Sequence, residues 1–236
     1  KLSPATWWTI TPGFAFNGMI APLTNYTIRG AIWYQGESNT PAPSSYARLF
    51  TEMIKSWRGK WNSQFPFYYV QIAPFAYGDG NIVGALVREQ QTKSLQLAGT
   101  GMVVISDLVD DTSNIHPTNK LDVALRLANM ALAKNYQKDI KSYQSPLFKS
   151  MVIEKDKAIV SFEYASTGLA SKDPAITQLS VAGADRIFYP AEGRIKGNTL
   201  IVSSKEVKQP VAVRYQFTNT GIGNLTSREG LPVAPF

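Results

Sequence analysis

The sequence predicts an α/β protein: a parallel sheet between helices, followed by a small antiparallel β-region. Between residues 28 and 135, short apolar runs alternate with longer segments whose apolar residues repeat at the helical period. This alternation of strands and helices is typical of parallel strands joined by right-handed crossovers. After residue 148, apolar and polar residues alternate with the two-residue period of half-buried strands.

The first part of the chain predicts three strands and three helices. The strands cover 28–34, 66–72 and 102–106, and the helices cover 44–58, 84–97 and 118–135. The second strand, PFYYVQI, is apolar on both faces, as a central strand of a parallel sheet would be. We expect the third helix to face the core with one apolar stripe, formed by Leu121, Ala124, Leu125, Ala128 and Leu132.

The second part of the chain has the pattern of strands and turns. Apolar residues alternate at 158–164 and again at 211–217, and Gly197-Asn198 predicts a turn between strands. We therefore expect two parts, an α/β domain at 1–145 and a β-rich region at 146–236.

The start of the chain predicts neither a strand nor a targeting signal. Residues 1–27 contain several prolines and predict a loop with a short helix around Asn17–Leu23. The opening text KLSPATWW lacks the basic, apolar and small-residue pattern of a signal peptide. No apolar run reaches the ~18 residues that a membrane span needs.

Composition excludes several classes of function. The chain has no cysteine, which excludes disulfides, thiolate nucleophiles and cysteine-ligated zinc. The net charge is +7, but the lysines and arginines are scattered, so we do not expect a nucleic-acid partner. A basic surface is compatible with the attraction of an acidic sugar.

His116 is the single histidine of the chain, and it follows a turn rich in carboxylates. A histidine near an acid can serve as a general base, because the acid orients the imidazole and stabilises its charged form. The acids that precede it are Asp107, Asp110 and Asp111. A second interpretation, in which His116 is a structural residue at a helix start, stays open.

The loop Gln35–Asn39 (QGESN) follows the first strand, and its backbone and amide groups could form an oxyanion hole. Ser38 offers a rival interpretation, because GES begins a G-x-S-x-G nucleophile elbow. However, Thr40 replaces the closing glycine, and Pro41 and Pro43 stand where the elbow requires a helix to begin. We therefore do not expect Ser38 to be the nucleophile.

Two further groups could bind a ligand. Arg88 could hold a sugar carboxylate through a bidentate contact, or it could be structural with its neighbour Glu89. Asp110 and Asp111 with His116 do not make the spaced ligand set of a metal site, so we expect neither metal nor cofactor.

Several blocks of the sequence resemble the sialate O-acetylesterases, which are serine esterases of the SGNH-hydrolase class. The blocks are IWYQGESN, PFYYVQIAPF, VREQQ, DLVDDTSNIHPTNK and, near the end, AGADRIFYPAEGRIKGNTLIVSS, PVAVRYQF and EGLPVAPF. They occur in order and at matching spacing over roughly residues 12–236. The resemblance implies an SGNH-type, flavodoxin-like α/β/α domain with attached β-structure.

The resemblance also implies the site residues. The histidine of the IHP block is the catalytic base of that family, which corresponds to His116. The QGES block contributes to the active site, which corresponds to Gln35, Gly36, Glu37 and Asn39. The helper acid would be one of Asp110, Asp111, Asp107 and Glu37.

This chain departs from the family pattern in two places. The family's nucleophilic serine lies in a GQSN-like block upstream of IWYQGESN, and the chain contains no such block. The aspartate that many SGNH enzymes place three residues before the histidine is replaced by Ser113. We expect the serine on an N-terminal segment or a second chain, whose absence would leave a strand edge unpaired.

The resemblance implies hydrolysis of acetyl esters by a serine and a histidine, without a cofactor, in a periplasmic or secreted protein. The expected partner is an acetylated sialic acid or another acetylated glycan. Two alternatives remain: a glycan-binding protein that has no nucleophile, and an acetylxylan esterase of the same fold.

Overall fold

The computed structural model describes residues 11–236. In chain order, β1, α1, β2, α2, β3 and α3 span Ala31–Trp33, Tyr46–Lys60, Phe67–Val70, Val83–Lys93, Thr100–Val103 and Lys120–Lys134. Each overlaps the segment predicted for it, so the predicted order is confirmed. The short helix expected near the start is present as two turns, Phe16–Ile20 and Ala21–Leu23. The part of the predicted loop before residue 11 lies outside the described residues.

The three strands form a parallel sheet with β2 in its centre. Because side chains alternate along a strand, Phe67 and Tyr69 enter one core while Tyr68 and Val70 enter another. The first core also contains residues of α1 and α2, and the second contains residues of α3. The sheet therefore lies between two helical layers, which confirms the predicted α/β/α arrangement.

The predicted core stripe of α3 is wrong. The buried residues of this helix are Val123, Leu127 and Met130. The residues expected in the core are exposed instead: Leu121, Ala124, Leu125, Ala128 and Leu132. The helix carries apolar residues on two faces, and hydrophobic periodicity alone does not say which face meets the sheet. We call the exposed set the outer face of α3.

The second part of the chain is antiparallel. Its strands, β4 to β12, span Leu147–Glu154, Lys157–Glu163, Leu169–Ser171, Leu179–Ala182, Phe188–Pro190, Glu192–Lys196, Thr199–Ser203, Ala212–Tyr215 and Leu225–Ser227. They form sheets in the orders β4-β5-β10-β9, β11-β7-β8 and β12-β6 around one apolar core. The predicted turn at Gly197 joins β9 to β10, and its φ of 63° suits glycine.

The end of the chain returns to the first part. Ala234 belongs to the core between the sheet and α1, and its N–H donates to the carbonyl of Pro146 at 2.9 Å. The division at residue 145 stays a prediction, although β4 begins at Leu147. Within residues 11–236, no helix has the length and apolar content that a membrane crossing would need.

Candidate active site

The polar loops after the three strands meet at one edge of the sheet, because parallel strands end on the same side. The N–H of Ala76, after β2, donates to the carbonyl of Thr112, after β3, at 2.9 Å. On the other side, Nζ of Lys120 lies 4.8 Å from the ring centre of Tyr34, after β1. These contacts bring the QGESN loop and the His116 loop to the same edge.

Close packing requires a glycine at position 36. A Cβ atom there would lie 2.7 Å from Cγ2 of Ile72 and 3.1 Å from Nε2 of Gln91. The backbone of Gly36 can therefore approach β2 in a way that no larger residue permits. Immediately after it, Glu37–Asn39 forms one 3₁₀ turn, and Nε2 of Gln35 donates to Oδ1 of Asn39 at 2.9 Å.

Gln91 fastens this loop to the sheet, a role that sequence reasoning missed. Its side chain is fully buried in α2, and its Oε1 accepts a hydrogen bond from the N–H of Ile72 at 2.8 Å. Its Nε2 donates to the carbonyls of Val70 at 3.2 Å and Gln35 at 3.4 Å. The hydroxyl of Tyr46 also donates to the Gln35 carbonyl, at 3.0 Å. The only signal in the sequence was a polar residue within an amphipathic helix.

The negative charge of Glu37 affects the pKa values of three tyrosines. Burial raises the pKa of Tyr34 to about 12, and the negative charge of Glu37 adds to the shift. The pKa values of Tyr46 and Tyr77 are raised by the same two causes. The hydroxyls of Tyr34 and Tyr77 are buried and have no hydrogen-bond partner in the described part of the chain. The charge of Glu37 therefore acts on two buried hydroxyls that have no partner among the described residues.

His116 is exposed at this edge, in the loop that precedes α3. Its N–H donates to Oδ1 of Asn114 at 2.9 Å, which shapes the loop. Among residues 11–236, its imidazole forms neither a hydrogen bond nor an ion pair. The ring is therefore free to meet a group that these residues do not supply.

The three acids before His116 already have other partners. Asp107 forms a bidentate pair with Arg126, at 2.7 and 2.6 Å. Asp111 accepts hydrogen bonds from the N–H of Ser113 at 2.8 Å and from its hydroxyl at 2.7 Å, which lower the pKa of Asp111. Asp110 accepts a weaker bond from the hydroxyl of Thr118 at 3.3 Å.

Of the two interpretations of Arg88, the sugar-binding one needs correction, because the residue is only 1% exposed. Its guanidinium donates to the carbonyls of Thr218 and Asn219, and to that of Ala73 at 3.5 Å. Burial lowers its pKa to about 10. Arg88 therefore holds the C-terminal chain against the sheet and cannot reach a ligand.

Ser38 is exposed in the 3₁₀ turn Glu37–Asn39. A second turn, Pro43–Ser45, follows, and α1 begins only at Tyr46. A nucleophile elbow places its serine between a strand and a helix that follows at once, so the geometry at Ser38 does not fit one.

No group of three His, Asp or Glu residues in the described chain could hold a metal ion.

One side of the site is open. Among the described residues, β1 pairs with β2 alone, and its other edge has no strand beside it. Ile32 of β1 is aligned with Tyr68, so it faces the same side of the sheet as α3, and it is 71% exposed. The outer face of α3 is exposed as well, with Leu121 at 70%. Apolar surface therefore borders the free edge of β1.

Known proteins match this chain over most of its length. A family model described as carbohydrate esterase, sialic acid-specific acetylesterase, matches residues 7–138. The sialate O-acetylesterase of Homo sapiens is 30% identical over 227 residues, which are 86% of this chain and 43% of that protein. That of Mus musculus is 32% identical over 168 residues, which are 63% of this chain and 31% of that protein.

A solved structure is also similar. The crystal structure of a carbohydrate acetylesterase from Xanthomonas citri superposes with a TM-score of 0.88 at 40% identity, and covers 94% of this chain and 52% of that one. The chain spans about a third to a half of the length of these relatives. From the match of the family model over more than half of its residues, the chain belongs to the carbohydrate esterase family of sialic acid-specific acetylesterases.

Proposed function

We propose that this protein is a carbohydrate O-acetylesterase that removes acetyl groups from sialic acids through a serine and His116. The observation that carries the proposal is that the loop of His116 and the QGESN loop lie at the same carboxyl edge of a parallel sheet, in a chain of this family. The relatives from Homo sapiens and Mus musculus are sialate O-acetylesterases, which favours the same substrate class here.

The reaction proceeds in two steps. His116 accepts the proton of a serine hydroxyl as the serine oxygen attacks the acetyl carbonyl carbon. The bond to the sugar oxygen breaks, His116 returns the proton to that oxygen, and an acetyl-enzyme remains. His116 then deprotonates a water molecule, which attacks the acetyl carbonyl. The bond to the serine oxygen breaks, His116 returns the proton to that oxygen, and acetic acid leaves as acetate with loss of its own proton. Gln35, Gly36 and Asn39 would line the oxyanion site during both steps.

We infer that the helper acid of His116 is Glu37, Asp110 or Asp111. Asp107 is a poorer candidate, because Arg126 occupies both of its carboxylate oxygens. Glu37 forms no ion pair with any residue of 11–236, and its charge raises the pKa values of Tyr34 and Tyr77 at the same edge. We place Glu37 first among the three.

The nucleophilic serine comes from a segment outside residues 11–236 that adds a strand to the free edge of β1. Three observations support this arrangement: the unpaired edge, the exposed side chain of Ile32, and the outer face of α3 on the same side of the sheet. A strand followed by a helix would satisfy all three, because the strand completes the sheet and its helix covers the apolar surface. The strand would end beside His116.

A fluorophosphonate that labels active serines tests the proposal. The active protein would be purified from its natural source by its esterase activity, labelled, digested and mapped by mass spectrometry. The expected label lies on a serine outside residues 11–236 and disappears when acetylated substrate is present in excess. A label on Ser38, or activity that survives complete labelling, would contradict the serine assignment.

A non-catalytic glycan-binding protein is the second candidate. It is favoured by one observation: no side chain among residues 11–236 donates a hydrogen bond to the His116 imidazole. Hydrolysis of a 9-O-acetylated sialic acid by the purified natural protein would exclude it. An acetylxylan esterase would instead hydrolyse acetylated xylan in preference to acetylated sialic acid.

We also propose that the protein works in the periplasm or outside the cell, where acetylated glycans are accessible. Fractionation of the source organism tests this, since the esterase activity should be recovered without breaking the inner membrane.

A further inference from the structure

Among residues 11–236, Arg88, Arg126 and Lys120 lie near the carboxyl edge of the parallel sheet, and the two arginines have partners. Arg88 is buried and donates to backbone carbonyls, while Arg126 is paired with Asp107. Lys120 is exposed and forms no ion pair with any described residue. Lys120 is therefore, of these three described cations, the one that is available to a ligand.

The position of Lys120 is not explained by the stability of its helix. It is the first residue of α3, where the partial positive charge of the helix start makes a cation unfavourable. Its ammonium instead lies over the face of Tyr34, 4.8 Å from the ring centre. An aromatic face orients a lysine without neutralising its charge.

Lys120 is also close in the chain to the proposed base. Lys120 lies four residues after His116 in the sequence, and Tyr34 directly precedes the QGESN loop. A ligand whose acetyl ester reaches His116 and this loop would therefore present its remaining part within reach of the ammonium. A cation that has no ion-pair partner among the described residues favours a substrate that carries a negative charge at that place.

We propose that Lys120 binds the carboxylate of an acidic acetylated sugar and thereby distinguishes it from neutral acetylated sugars. The inference rests on the proposed function for the location of the ester, and it adds the residue that selects the substrate class. Lys120 takes no part in the proton transfers. It acts on affinity for the acid and leaves neutral esters unaffected.

A binding experiment separates this inference from the catalytic proposal. N-acetylneuraminic acid and its methyl ester would be titrated by calorimetry against the protein that carries His116→Ala, so that turnover plays no part. The acid should bind about tenfold or more tightly than the methyl ester, as expected for a charge-assisted contact. Adding Lys120→Met should remove this difference.

Lys134→Met supplies the matched control. Lys134 ends the same helix and lies 6.0 Å from the ring centre of Tyr68, so the change removes an equal charge in a similar setting. The preference for the acid should persist in this variant. The inference is overturned if acid and methyl ester bind equally, if neither binds at millimolar concentration, or if the preference survives in Lys120→Met. Loss of hydrolysis in the parent protein would overturn the proposed function and leave this readout intact.

Discussion

Gly36 and Ile72 approach so closely at the edge of the sheet that a Cβ atom on Gly36 would lie 2.7 Å from Cγ2 of Ile72. Ile72 is itself fixed, because its N–H donates to Gln91 at 2.8 Å and its side chain is buried. The position of the QGESN loop therefore depends on a close contact between the segments that follow β1 and β2.

Replacing Gly36 with alanine should destabilise the protein and lower its esterase activity. The added methyl group must displace Ile72 or the loop, which typically costs about 1–3 kcal/mol. Gly59→Ala is the control, because Gly59 lies in α1 and a methyl group added there would meet no atom within 4 Å. That change should stabilise by about 0.5–1 kcal/mol. Urea unfolding measures both, and equal midpoints for Gly36→Ala and the parent would contradict the close-packing argument.

The role assigned to Arg88 predicts a loss of stability without a change in substrate affinity. Arg88→Met removes the side-chain donor to the carbonyls of Thr218, Asn219 and Ala73, at a cost of roughly 1–3 kcal/mol, although Asn219 keeps a bond from the N–H of Phe75. Lys93→Met, at the exposed end of the same helix, removes only a surface pair with Glu89 and should change stability by under ~0.5 kcal/mol. Thermal unfolding and KM are the measurements. A raised KM at normal stability would restore Arg88 as a sugar ligand.

How much the sequence revealed differs between elements. The order of strands and helices was predictable, because apolar runs such as FYYV and the period of α1 depend on local pattern alone. The core-facing side of α3 was not predictable. Leu121 and Val123 lie on two apolar faces of this helix, and tertiary packing determines which face is buried. The two interpretations of Arg88 could not be separated for a related reason: two of its carbonyl partners lie about 130 residues away, which no local pattern encodes.

The candidate site was also predictable only in part. His116 and the QGESN loop could be found because their residue types and their places after strands are visible in the sequence. The partners of the acids could not be found from the sequence, because Arg126 of α3 contacts Asp107 of a different element. The supporting role of Gln91 likewise depends on contacts with two strands that only the folded chain brings together.

The hydrogen bonds of Asp111 predict a pH effect on the loop before His116. The folded pKa of Asp111 is lowered, so its bonds to Ser113 are present above the ordinary pKa and are lost as the pH falls through the lowered value. Ser113→Ala should raise the pKa of Asp111 toward that of an ordinary aspartate. NMR titration of the carboxyl carbon measures this, with Ser38→Ala as the control. An unchanged pKa in Ser113→Ala would contradict the assigned cause.

The outer face of α3 predicts where the serine-bearing segment packs. Leu125→Lys places a charge on that face, so it should lower the esterase activity of the complete active protein at least tenfold, because a buried unpaired charge is costly. Val152→Lys, on an exposed position of β4, should leave activity within about twofold. Circular dichroism would check that both variants fold. Full activity in Leu125→Lys would show that nothing packs there.

The catalytic role of His116 is the central claim, and hydrolysis of a 9-O-acetylated sialic acid measures it most directly. The natural active protein would be compared with His116→Ala and with Asn114→Ala, which removes the hydrogen bond that shapes the same loop. His116→Ala should lower kcat/KM on the order of a thousandfold or more, with normal folding, while Asn114→Ala keeps most of the activity. Equal activity in the parent and in His116→Ala would contradict the account.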